Sequence, residues 1–243
     1  MSLISLFGGF GEFDDWADGI HRGFLERATG DGTVCIVPMT IDDEYLDKQE
    51  LPYWKKIGVE AEVLPVRSHE EALNIDSANR VLEASLIFLH GGTPPWLMEC
   101  LLGSLVWSAI VEAVNRGAAL EATSGGAKIL GTKIPFWNMN SGEEGWLDSF
   151  GLAGDLVVAA HWNGEFTDHP EEHRAIYRRL RSFYESNMPK ELALVGIEER
   201  AAFVEENGVR RAEGGDGRVF VGRGSTSEWF KGGESIRWPA ALA

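Results

Sequence analysis

Cysteine, positive charge and long apolar runs are all scarce in this chain. Two cysteines among 243 residues are too few for a disulfide framework, and Cys35 and Cys100 both fall in apolar segments, as buried thiols of a reducing compartment do. Lysine and arginine total 22 against 38 aspartates and glutamates, a formal net charge of −16. That balance repels a phosphate backbone and leaves few clustered cations to release its counterions, so nucleic acid is not an expected partner. The longest uncharged apolar stretch, Cys100 to Val111, is interrupted by Gly103, Ser104 and Ser108 and falls short of the ~20 residues a membrane span needs. It reads as a buried helix, and no membrane partner is expected. A basic leader with a cleavage site is also missing: Met1-Ser2-Leu3-Ile4-Ser5-Leu6-Phe7 runs straight into Gly8-Gly9 like a first core strand, which points to the cytoplasm. No low-complexity tract or repeat of fixed period is visible.

What is present is an ordinary globular composition, 44% hydrophobic and 25% charged, long enough to bury a substantial core. Short apolar runs at Leu3–Phe7, Thr33–Pro38, Val59–Val66, Ser85–Leu89 and Ala118–Thr123 read as strands, with helices expected between them at Asp43–Ile57, Asn74–Glu83 and Leu97–Asn115. Strands separated by helices imply βαβ crossovers and a mostly parallel α/β sheet covered by helices on both faces, with function gathered at the carboxyl ends of the strands. Beyond a polar loop, Asn138–Gly145, the pattern predicts a strand at Leu156–Ala160, a helix at Glu171–Ser186 and a strand at Leu192–Gly196. Antiparallel strands are then expected at Ala201–Glu205, Arg218–Gly222 and Ser227–Lys231, extending the sheet and adding a small β layer. No linker divides the chain, so residues 1–243 are read as a single α/β domain.

Three reactive residue types sit at predicted strand ends. Ser124-Gly125-Gly126-Ala127 follows one strand and opens a helical segment, the context of a nucleophile elbow, where a sharp turn exposes the serine Oγ and helical N–H groups face a developing oxyanion. His161 ends the strand Leu156–Ala160 and is therefore expected on the same sheet edge as Ser124. Glu198 and Glu199 follow Leu192–Gly196 and offer the carboxylate that orients such a base. The chain order serine, histidine, carboxylate differs from that of α/β-hydrolases, and Ala122 replaces the first glycine of their G-x-S-x-G motif. Gly91-Gly92 follows the strand Ser85–Leu89, next to the elbow, where it suits an oxyanion site. A metal set of His161, His169 and His173 is disfavoured by Pro170 and by the lack of an H-E-x-x-H pattern. Among the tryptophans, Trp137 and Trp162 stand in loops near strand ends and are the pocket candidates. Gly8-Gly9-Phe10-Gly11 has neither the lysine nor the spacing of a phosphate loop.

Taken together, Ile87-Phe88-Leu89-His90-Gly91-Gly92-Thr93, Arg116-Gly117, Ala122-Thr123-Ser124-Gly125-Gly126-Ala127, Ala160-His161-Trp162 and Val195-Gly196-Ile197-Glu198-Glu199 resemble the peptidase E and cyanophycinase family. The resemblance implies a fold like that of class I glutamine amidotransferases, with serine in place of cysteine at the elbow, and hydrolysis of small peptides or isopeptides containing aspartate. It implies Ser124 as nucleophile, His161 as base and Glu199 as carboxylate, with the amides of Gly92 and Gly125 as the oxyanion hole. His90 and Trp162, by their positions in the sequence, are expected to line the substrate pocket, and Arg174 and Arg178 to supply a cation to a substrate carboxylate. No metal or organic cofactor is implied. The partner is a small peptide substrate, and assembly into a homo-oligomer is compatible with the pattern. The chain departs from the family in three places: Gly125 stands where the elbow usually carries alanine, His90 precedes Gly91-Gly92 where members commonly have a small or apolar residue, and Trp162–Asp168 is acidic where the family is basic. Gly125 and the acidic stretch motivate the alternative of a catalytically silent binding or interaction protein on the same fold.

Overall fold

The computed structural model describes residues 2–9, 11–137, 143–164, 167 and 170–238. Its strands are β1 (Leu3–Phe7), β2 (Val34–Val37), β3 (Ala61–Val63), β4 (Leu86–Leu89), β5 (Ala119–Thr123), β6 (Lys133–Trp137), β7 (Glu144–Asp148), β8 (Leu156–Ala160), β9 (Ala193–Ile197), β10 (Ala201–Glu206), β11 (Val209–Gly214), β12 (Arg218–Arg223) and β13 (Thr226–Lys231). The main sheet runs β11-β10-β1-β5-β4-β2-β3. Its five strands from β1 to β3 are parallel, and β10 and β11 extend it antiparallel.

Strand alternation places one set of side chains on each face. Ile4, Leu6, Ile87, Leu89 and Leu120 pack toward the helices Ile75–Glu83, Pro94–Leu101 and Leu105–Arg116. Leu3, Phe7, Leu86, Phe88 and Ala119 pack the other way, against the helices Asp18–Arg27 and Leu51–Lys56. Burial on both faces is why these strands read as continuous apolar runs. A mostly parallel sheet with helices on both faces and an antiparallel C-terminal extension is the architecture expected from the sequence.

Three local expectations are corrected. The single helix Leu97–Asn115 is two helices bent by 91°, because Gly103 takes a left-handed φ of +73° and the Ser104 side chain caps the second helix by accepting from Trp107 N–H. No single helix among the described residues is long and apolar enough to cross a membrane. Secondly, the strands bearing His161 and Glu199 are not in the main sheet. They belong to a four-stranded sheet, β13-β12-β9-β8, in which β8 and β9 are parallel. One face of that sheet joins the main core through Leu156, Val158, Val195 and Ile197; the other, with Val157, Ala159 and Leu194, is covered by Tyr184 of the helix Glu171–Asn187. Thirdly, residues Glu144 and Gly145 of the expected loop Asn138–Gly145 begin β7, which pairs with β6 as a hairpin. Residues 138–142 of that loop lie outside the described residues.

Candidate active site

At the carboxyl end of β5 the chain turns directly into the helix Ser124–Ile129. Ser124 makes that turn with φ +54°, a left-handed conformation that a side-chain-bearing residue adopts only where its surroundings enforce it. This strained strand-to-helix geometry is the one expected of a nucleophile elbow. Its Oγ lies 2.8 Å from His161 Nε2. His161 Nδ1 lies 3.0 Å from Glu199 Oε1, and both side chains are nearly buried, at 10% and 11% exposure.

Two sheets are joined to bring these groups together. The backbone N–H of His161, which follows β8, donates to the carbonyl of Gly8, which follows β1 (2.8 Å). Gly9 then leaves the imidazole its space, since a Cβ there would stand 2.2 Å from His161 Cε1. The Tyr177 ring stacks on the imidazole, with centroids 5.1 Å apart. Glu199 is fixed through its backbone N–H, which donates to Asn163 Oδ1 (2.8 Å). Glu198 is occupied elsewhere: its carboxylate accepts from Arg218 Nε and Nη2 at 3.1 and 3.0 Å and from the Arg218 backbone N–H. The two adjacent glutamates are thus distinguished by geometry.

Gly91-Gly92 lies against the elbow. A Cβ on Gly91 would stand 2.8 Å from Ser124 Cβ, and one on Gly125 would stand only 1.9 Å from the Gly92 carbonyl oxygen. Gly125 is therefore the residue that lets this loop approach the elbow, and alanine would not fit without moving the loop's backbone.

The cleft over Ser124 encloses about 520 Å³ and is bordered by Glu12, Tyr45, His90, His161 and Tyr177. His90 is at the cleft wall but buried, and its Nε2 is 2.6 Å from Glu50 Oε2. The remaining predicted substrate contacts are placed elsewhere. Trp162 is buried beneath the site, stacked on Phe220 at 5.2 Å and covered by the Arg181 guanidinium, where Gly196 makes room for it. Arg174 and Arg178 both pair with Glu171 and do not border the cleft. The side chain of Trp137, and His169 of the considered metal set, lie outside the described residues. Among the described residues no group of three or more histidine, cysteine, aspartate or glutamate side chains is arranged to hold a metal.

Sequence reasoning missed Glu12, Lys128 and the pair His21–Glu121. Glu121, on β5 three residues before Ser124, is fully buried, with Oε2 2.5 Å from His21 Nδ1, while His21 Nε2 lies 2.8 Å from the Glu12 carbonyl. Burial opposes charge on this imidazole, but the Glu121 carboxylate and the Glu12 carbonyl outweigh it, and the His21 pKa is raised. The one sequence signal for this pair was a glutamate inside an otherwise apolar strand.

The model of peptidase family S51 matches residues 5–211. The chain belongs to this family. As a member of family S51 it is a serine-type peptidase of the peptidase E kind, and the silent-protein alternative finds no support. The family fold is also seen in solved structures. A peptidase from an acI-B1 Actinobacterium is 23% identical, with a TM-score of 0.79 over 98% of this chain and 97% of that one. A putative peptidase E protein from Listeria monocytogenes EGD-e is 17% identical, with a TM-score of 0.59 over 93% of this chain and 100% of that one. No curated protein matches the chain.

Proposed function

We propose that this S51 peptidase hydrolyses a dipeptide or other small amide with Ser124 as nucleophile, His161 as general base and Glu199 as the orienting carboxylate. The observation that carries this reading is the relay from Ser124 Oγ to His161 Nε2 and from His161 Nδ1 to Glu199, at 2.8 and 3.0 Å. The Oγ–carbonyl bond forms as His161 takes the serine proton, and Glu199 stabilises the imidazolium. The backbone amides of Gly92 and Gly125, brought together by the absence of a Cβ on Gly125, receive the oxyanion. The C–N bond then breaks as His161 returns the proton to the leaving amine, and water attacks the acyl-enzyme by the same route in reverse. The catalytic groups come from both sheets, which supports treating the chain as one hydrolytic domain. Cys35 and Cys100 are free and buried, and burial pushes the Cys35 thiol up to about 12; inert thiols support a cytoplasmic setting.

A serine-directed phosphonate tests the assignment. Stoichiometric labelling at Ser124 is expected, with labelling and hydrolysis both lost in Ser124→Ala; full hydrolysis by that variant would overturn the reading.

A further inference from the structure

Two buried ionisable side chains, Glu12 and Lys128, line two spaces that meet at Ser124. Glu12 is 7% exposed and borders the cleft beside His90 and Thr123, and its Oε2 makes no hydrogen bond among the described residues. Lys128 is 6% exposed and lies one helical turn beyond Ser124, so both project from the same helix face. It borders a continuation of the cleft, about 670 Å³, with Thr93 and Leu180. The two spaces share Thr40, Gly92, Ser124, His161, His173 and Tyr177; Glu12 borders only the first and Lys128 only the second. Among the described residues lining them, Glu12 is the one carboxylate and Lys128 the one lysine or arginine.

Neither side chain makes a salt bridge among the described residues. Burial raises the Glu12 carboxyl and favours its proton while the cleft is empty, opposed by its own backbone, by His90 and by Thr123; an incoming ammonium would draw it back to the carboxylate. Burial alone lowers the Lys128 ammonium to about 8, with no carboxylate acting against it. Elsewhere around the site opposite charges are paired off: Glu50 with His90, Glu199 with His161, and Arg174 and Arg178 with Glu171. A buried charge that lacks a partner is costly to the fold, and a ligand of opposite charge relieves that cost.

We propose that Glu12 receives the free α-ammonium and Lys128 the free carboxylate of a short zwitterionic peptide, with the scissile carbonyl at Ser124 between them. The inference rests on the hydrolytic reading above and deepens it. The acylating residue carries the ammonium and the departing amine carries the carboxylate, so the cleft reads both ends of its substrate and rejects longer or blocked chains.

The test uses an equimolar pool of the twenty Xaa-Leu dipeptides, together with its N-acetylated and its C-amidated counterparts. Hydrolysis by the full chain is followed for each member by mass spectrometry, and binding of each pool to Ser124→Ala by calorimetry. Free dipeptides should be cleaved with kcat/KM at least ~10-fold above either blocked pool and should bind more tightly by a similar factor. Glu12→Gln should abolish discrimination against acetylation, and Lys128→Met discrimination against amidation, each mainly through KM. Asp-Leu and Lys-Leu within the pools separate side-chain charges from terminal ones. Ser124-dependent cleavage that ignores blocking overturns this inference and leaves the hydrolytic reading intact. Tight, end-selective binding without any cleavage supports the inference and overturns hydrolysis. Failure to bind or cleave any pool overturns the inference.

Discussion

The elbow residues of this chain are settled by close approach more than by intrinsic preference. Gly125 is the position where a generic elbow sequence would carry alanine, yet the Gly92 carbonyl occupies the place of its Cβ. Gly125→Ala is expected to keep the fold and lower kcat by about 10²–10³, the effect of losing one oxyanion donor, through displacement of the Gly91-Gly92 loop. Phosphonate labelling rates, read beside an unchanged near-ultraviolet circular dichroism spectrum, check this. Lys128 makes the opposite prediction for stability. Its pKa in the folded chain, about 8, lies below the unfolded value of ~10.4. The unfolded chain therefore binds the proton more readily, and Lys128 lowers stability in full below pH 8, with relief as pH rises toward 10.4. Lys128→Met should accordingly raise stability at pH 7 by on the order of 1–3 kcal/mol in urea unfolding, while weakening substrate binding. The same titration predicts that KM for free dipeptides rises above about pH 8; the substrate α-amine also loses its proton at pH ~8, and His161, His173 and Tyr177 face that space, so the share that belongs to Lys128 is the part of the rise that Lys128→Met removes.

At the scale of elements, most of the fold was legible because parallel strands buried on both faces leave uninterrupted apolar runs, as Leu86–Leu89 and Leu156–Ala160 do. Ser124, His161 and Glu198-Glu199 were legible because each follows such a run. Other features had no local signature. The bend at Gly103 lies inside an apolar stretch whose hydrophobicity continues through it. The separation of β8 and β9 into a second sheet depends on pairing between distant segments, which periodicity does not encode. Lys128 and Glu12 look like ordinary surface charges until burial is known. The pair His21–Glu121 joins the helix Asp18–Arg27 to β5 beneath the elbow. His21→Leu should leave Glu121 buried without a counter-charge and cost about 3–5 kcal/mol in chemical unfolding. Because the His21 pKa is raised on folding, its contribution in the native chain is complete below pH ~6.5 and fades as pH rises through the folded value.

Across the whole molecule, the site is a seam. β1 and β5 supply Gly8, Gly9 and Ser124, and the second sheet supplies His161 and Glu199, with the two sides tied by the bonds from His161 N–H to Gly8 O at 2.8 Å and from Arg200 N–H to Gly9 O at 3.3 Å. A triad built across a seam exists only while both sheets are docked. The His161 amide should therefore exchange with solvent deuterium only through opening near the global unfolding free energy, slower than exposed turns such as Asn207-Gly208. Fast exchange at His161 in an otherwise protected molecule would show that the sheets separate independently.

The meeting of Gly92 with Gly125 also changes how kindred sequences are to be recognised. A search pattern that insists on alanine after the serine passes over any chain whose preceding loop sends a carbonyl inward. The sounder criterion is a correlated one: the residue after the nucleophile must shrink to hydrogen wherever the diglycine loop leans in, so the two positions should be scored as a single character.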